Sequence, residues 1–210
     1  QLNRRNGHFS EIGLYAGVAA TDWSWSPLWL DFDNDGNKDL FISNGIPKRL
    51  NDIDYINFIS DQELQDKMRN KSLDSKDLSL IDKFPQIKLP SKFFRNVGAM
   101  QFADVSDSID GAHPTFSNGA VYADLDNDGD LDLVVNNIDE PALIYKNTAN
   151  DKVKRPSVDI TLMGDEKNRN ALGAKIILFS DDHTMTYEKY PVRGFLSSME
   201  IPIHIGMYHI

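Results

Sequence analysis

Residues 120 to 135 read Ala120-Val-Tyr-Ala-Asp124-Leu-Asp126-Asn-Asp128-Gly-Asp130-Leu-Asp132-Leu-Val-Val135, an apolar run, a nine-residue loop of pattern D-x-D-x-D-G-x-x-D, and a second apolar run. The same order occurs upstream as Pro27-Leu-Trp-Leu30, the loop Asp31 to Asp39, and Leu40-Phe-Ile42. The flanking runs are rich in β-branched and aromatic residues and end at Asn-Gly or Asn-Asn, so each unit reads as strand, loop, strand.

Working outward, His8 to Gly45 aligns with Gln101 to Ile138 at a constant shift of 93 residues without a gap. Phe9 falls on Phe102, Trp29 on Tyr122, Asp31 on Asp124 and Asn3 on Asn96, and Tyr145-Lys-Asn147 resembles Phe94-Arg-Asn96 as a further start. Ile46 to Phe93 has no counterpart in the second copy. Removing those 48 residues from the shift leaves 93 − 48 = 45, close to the roughly 40–50 residues of a four-stranded propeller blade. Within the insertion, Ile53, Ile56, Phe58, Ile59, Leu64 and Met68 recur at mostly helical spacing after a cap at Asn51 or Asp52, and a second helix is expected from Ser75 to Lys83, stopped by Pro85. It reads as an elaboration packed on a blade edge, or as a lid. Beyond Asn150 the pattern changes to strands at 157–162, 175–179, 186–192 and 201–205. The expectation is a mainly β chain: partial β-propeller blades over 1–150 with a helical insertion at about 46–93, then a small β-domain over 151–210.

The loops carry the chemistry. Carboxylates at positions 1, 3 and 5 converge when the chain wraps around a point. Gly36 and Gly129 at position 6 permit the turn, a backbone carbonyl at position 7 (Asn37, Asp130) adds an oxygen, and position 9 closes the site. The expected ligands are Asp31, Asp33, Asp35, Asn37 and Asp39 in one loop, and Asp124, Asp126, Asp128, Asp130 and Asp132 in the other. So many hard oxygens suit Ca²⁺ better than Mg²⁺ or a nitrogen- or sulfur-preferring metal, so two Ca²⁺ sites are expected. An EF-hand requires Glu at position 12, where this chain has Ile42 and Val135. The bland alternative is a solvated acidic turn, but clustered carboxylates repel one another and the cluster recurs in register. Both loops look fully supplied by protein oxygens, which favours a structural ion over a catalytic one.

A formal charge of −10 with no basic run argues against a nucleic-acid partner. The chain has no cysteine, which excludes a disulfide scaffold and thiolate zinc sites. It opens at Gln1 with no signal or membrane-spanning stretch, so Gln1 reads as a cut, natural or engineered, which leaves room for a targeting segment or lipid anchor upstream. No catalytic set emerges. The five histidines (His8, His113, His183, His204, His209) lack metal or nucleophile spacing, and Ser24, Ser26 and Ser117 have no evident base. Trp23, Trp25 and Trp29 crowd one strand, either as a sugar-stacking platform or, as favoured by the match of Trp29 to Tyr122, with Trp29 in the blade core.

Phe102-Ala-Asp-Val105 followed by Ser117 to Asn137 resembles the FG-GAP or VCBS repeat, the integrin-α-like propeller blade. Asn168-Arg-Asn-Ala-Leu-Gly-Ala-Lys-Ile176, Arg193-Gly-Phe-Leu-Ser-Ser198 and His204-Ile-Gly-Met207 are similar to the ASPIC/UnbV domain that follows such repeats in cartilage-acidic-protein-like proteins. Asp52-Ile-Asp-Tyr-Ile-Asn-Phe-Ile-Ser60 resembles bacterial surface members of that group. The resemblance implies an extracellular or outer-membrane location, calcium on both sets of loop aspartates, and no transferable catalytic residue. It also implies a ring of about seven blades, so two repeats with a partial start, ending just after the His-x-Gly motif, suggest the C-terminal part of a longer protein. The leading expectation is a non-catalytic, calcium-stabilised scaffold or binding module for a glycan or protein ligand. The alternative is a calcium-dependent polysaccharide-active enzyme, lyase-like, using a base such as His113 beside an open calcium.

Overall fold

A computed structural model describes residues 1–48, 53–75, 77, 86–179 and 184–207. The opening hairpin of β1 (Leu2–Asn3) and β2 (Phe9–Ser10) leads through a one-turn helix α1 (Gly13–Ala16) into a four-stranded antiparallel sheet. That sheet is ordered β3 (Ser24–Leu30), β4 (Asp39–Asn44), β5 (Lys92–Asn96), β6 (Phe102–Asp104). A second sheet follows, ordered β7 (Ser117–Ala123), β8 (Asp132–Asn137), β9 (Leu143–Tyr145). The two sheets repeat each other in detail. Leu30 opposes Asp39 as Ala123 opposes Asp132, and each first strand shifts register at the same place, between Ser24 and Pro27 and between Ser117 and Ala120. The fold is mainly β and built of propeller-type blades, and the described residues form no closed ring.

The repeat in sequence and the blade in structure are offset. Asn3 and Asn96 align, yet Asn96 ends the third strand of the first blade, so β1 and β2 correspond to the last two strands of a blade. Tyr145, read as a further start, likewise lies in β9, the third strand of the second blade. Lys92 and Phe93, read as the end of the insertion, belong to β5, and Phe93 packs in the core.

Successive blades pack by opposite faces. Leu28 and Leu30 of β3 enter a core shared with Ala120 and Tyr122 of β7, together with Phe41, Phe93, Leu133 and Val135. At a shift of 93, Ala120 and Tyr122 are the equivalents of Pro27 and Trp29, which point the other way in β3 because side chains alternate along a strand. The front of one blade therefore meets the back of the next. This corrects the expectation for Trp29: it is 48 % exposed, whereas Tyr122 is 6 % exposed, and its ring packs on Phe102 at 5.7 Å on the outer face. The opposite face of the first blade holds Leu40, Ile42 and Phe94, covered in part by Val18.

Between β4 and β5 the expected single helix is two, α2 (Ile53–Ile59) and α3 (Gln62–Arg69). Asp61 causes the break: extended at φ −61°, ψ 128°, it accepts a hydrogen bond from the Leu64 amide and so starts a new helix. Leu64 is buried, while Ile53, Ile56, Ile59 and Met68 are exposed. The cap at Asn51 or Asp52 and most of the helix expected over 75–83 lie outside the described residues.

Downstream of α4 (Ala149–Lys152), two antiparallel pairs form: β10 (Ser157–Ile160) with β13 (Ile203–Gly206), and β11 (Lys175–Phe179) with β12 (Thr184–Glu188). Tyr187, Ile203 and Ile205 make a small core of their own, while Met199 enters the core of the blades. Among the described residues no helix is long and apolar enough to cross a membrane.

Candidate metal centre

The aspartate loops are the β3–β4 and β7–β8 connections, and one hydrogen-bond scheme shapes both. Asp31 accepts from the amides of Asp35 (3.0 Å) and Gly36 (2.8 Å), as Asp124 accepts from those of Asp128 (3.2 Å) and Gly129 (3.1 Å). Asp39 accepts from the Phe32 and Asn96 amides, and Asp132 from the Leu125 and Asn147 amides. Asp35 and Asp128 each accept from the amide two residues on, that of Asn37 or Asp130. The turn needs a left-handed residue at position 4, where Asn34 (φ 54°) and Asn127 (φ 60°) serve because a short polar side chain tolerates that region.

Convergence of the carboxylates differs slightly between the loops. In the first, Asp31, Asp33 and Asp39 each bring an oxygen within 4.8 Å of the others; in the second, Asp124, Asp126 and Asp128 do. Asp35 lies outside the first group, Asp132 outside the second, and Asn37 is exposed. Asp130, whose carbonyl is the expected ligand, also buries its side chain, whose Oδ2 accepts from the Asn150 amide at 2.9 Å.

The donor set is unbalanced in the way a cation would correct. Asp33 Oδ1, Asp128 Oδ2 and Asp130 Oδ1 are buried acceptors with no hydrogen-bond donor, and an ionised carboxylate in that state is costly. Burial, followed in importance by opposing backbone hydrogen bonds and neighbouring aspartates, raises Asp31 to about 6 and Asp39 to about 8. Asp130 rises to about 6, again chiefly through burial. These residues fit a hard divalent cation, which would be held by the convergent aspartate oxygens and would supply compensating positive charge.

Basic side chains reach both groups as well. Arg155 Nη1 lies 3.2 Å from Asp33 Oδ2 and donates to the Asp33 carbonyl, and Lys146 Nζ lies 2.5 Å from Asp126 Oδ2 and 3.9 Å from Asp128 Oδ2.

The loops also touch each other and the C-terminal strands, which sequence reasoning missed. Asn34 Nδ2 donates to the Gly129 carbonyl at 2.7 Å, joining the first loop to the second. Its Oδ1 meets His204 Nε2 at 2.8 Å, while His204 Nδ1 meets Asp159 Oδ1 at 2.8 Å. Ser157 Oγ donates to the Gly129 carbonyl at 3.1 Å. Two residues beyond His204, Gly206 packs so closely that a methyl group there would collide with Asp31 Oδ2 and the Asn34 backbone. One signal was available: Asn96 and Asn147, matched in sequence, are the residues whose amides orient Asp39 and Asp132.

Among the described residues no catalytic constellation stands beside the loops. His113 is exposed and bonds only its local Gly111 carbonyl, at 2.9 Å. Trp25 donates to the Gly45 carbonyl and packs on Phe195 at 4.5 Å, whereas Trp29 packs on Phe102, so these two rings have different neighbours. His183 and His209 lie outside the described residues.

Comparison with known proteins matches residues 1–42 to the FG-GAP-like repeat and residues 164–209 to the ASPIC and UnbV family. No curated protein matches the chain.

Proposed function

We propose that this chain, an FG-GAP-like repeat region joined to an ASPIC/UnbV segment, is a non-catalytic, calcium-stabilised binding or scaffold module working outside the cell, with a glycan or protein as its ligand. The observation that carries the reading is the pair of equivalent loops, each with at least one buried carboxylate oxygen that no protein donor satisfies. Extracellular modules bind calcium at millimolar free ion, which supports reading this one as working at an extracellular or outer-membrane surface; an upstream lipid anchor would serve for attachment.

Calcium here acts by mass action. An ion that binds the folded loops and not the unfolded chain stabilises the fold by an amount set by its concentration over its dissociation constant. Because the loops connect the first two strands of each blade and touch β10 and β13, filling them stiffens the junction of blades and C-terminal strands. The test is thermal unfolding with excess calcium and after exhaustive EGTA. A higher melting temperature with calcium is expected, and superimposable curves would remove the reading.

A further inference from the structure

A cavity of about 620 Å³ opens between the first blade and the C-terminal segment, within the size range of small-molecule sites. Its wall includes Lys38 from the first aspartate loop and Arg193 from the Arg193-Gly-Phe-Leu-Ser-Ser198 run, beside Tyr187, Glu188 and Tyr190. The chain carries a net charge of −10, and Lys67, Lys88, Lys92, Lys146 and Lys189 all have carboxylate partners. Lys38 and Arg193, like Arg169 and Lys175 elsewhere, have none among the described residues, and these two line the cleft. Lys38 Nζ lies over the Tyr187 ring at 4.8 Å, and Arg193 donates to uncharged oxygens, the carbonyls of Tyr190 (2.8 Å) and Glu188 (3.2 Å) and the Tyr122 hydroxyl.

Lys38 and Arg193 line the same cleft, neither of them in an ion pair, and an anion bound there would meet both. Arg193 is set up to meet one. Of its five N–H donors three are engaged, leaving two, and the backbone beside it is fixed. Gly194 (φ +72°) approaches β3 so closely that a methyl group there would collide with Ser26 Oγ, and the Phe195 amide donates to that same oxygen at 3.2 Å. Tyr190, 59 % exposed, offers a ring face, and Glu188 offers an acceptor for hydroxyl donors. An anionic group, a stackable ring and hydroxyl donors together describe an acidic sugar.

We propose that this cleft binds an acidic saccharide, its anionic group held between Lys38 and Arg193 and a sugar ring lying on Tyr190. This rests on the reading of the chain as a binding module and names the ligand class and the site. Lys38 is the eighth residue of its loop, between Asn37 and Asp39, so the metal loop sets where its ammonium stands and binding depends on calcium.

The experiment is calorimetric titration of the chain in calcium with trigalacturonate, a sulfated chondroitin disaccharide and neutral cellotriose. At least one acidic probe binds, at least tenfold more tightly than cellotriose, and the carboxylate and sulfate arms tell which anion is preferred. Lys38→Gln and Tyr190→Ala each weaken that binding about tenfold while leaving the calcium-dependent melting shift in place, Arg193→Lys weakens it less than Arg193→Gln, and EGTA abolishes it. Equal binding of cellotriose, or unchanged affinity in Lys38→Gln, overturns the proposal. So does failure of all three probes to bind a chain whose calcium-dependent melting shift is intact, an outcome that leaves the calcium reading standing. Loss of the melting shift itself strikes the calcium reading, and binding of the acidic probe that then persists in EGTA overturns the calcium dependence claimed for the cleft.

Discussion

His204 Nε2 stands 2.8 Å from Asn34 Oδ1, tying the last strand of the C-terminal segment to the first aspartate loop. Asn34 is fully buried and its amide also donates to the Gly129 carbonyl of the second loop, so one side chain spans all three parts. Removing the imidazole leaves Asn34 Oδ1 without this partner in a buried setting. His204→Ala is expected to cost about 1–3 kcal/mol in denaturant unfolding, and His204→Gln, which keeps one amide donor, is expected to cost less.

Gly206 supplies the space for that contact. Gly206→Ala pushes a methyl group into Asp31 and the Asn34 backbone, so the C-terminal strands are expected to detach more readily. Limited proteolysis should cut the variant within residues 151–207 faster than the parent, and a lowered melting temperature should accompany it.

The acidity of the loops has a definite sign in the metal-free protein. Asp39 is raised to about 8 and Asp31 to about 6, each mainly by burial, against ordinary values of 3.8. Between these limits the folded state holds more protons than the unfolded one. Stability in EGTA is therefore fullest near pH 4 and falls as pH rises toward 8. Calcium needs the ionised carboxylates, so its stabilising effect grows over the same window. Melting temperatures at pH 5 and pH 8, each with calcium and with EGTA, check both trends.

The opposite-face stacking of the blades separates two aligned aromatics. Tyr122→Ala empties a site in the shared core and is expected to cost roughly 3–5 kcal/mol, whereas Trp29→Ala on the outer face should cost clearly less. Equal losses in urea unfolding would contradict the stacking.

Much of this was legible in the sequence because both periodicities are strong. The 93-residue register located the blades, and the loop pattern located the convergent aspartates, since turn geometry depends on local residue types. The inward face was not legible at Trp29: alternation shows that faces exist, but only stacking decides which face of each blade is covered. The insertion divided at Asp61 because a local cap outweighed a continuous apolar spacing. His204, Gly206 and Arg155 were beyond reach for another reason. They meet the loops across 120 residues or more of chain, and no local pattern encodes such a contact.

Calcium in the two loops is the central claim, and direct calcium titration of the chelator-stripped chain by calorimetry tests it most directly. Two ions per chain are expected, falling to one in the double variant Asp124→Asn with Asp126→Asn, which leaves the first loop intact. Absence of calcium binding by the folded, stripped chain would contradict the account.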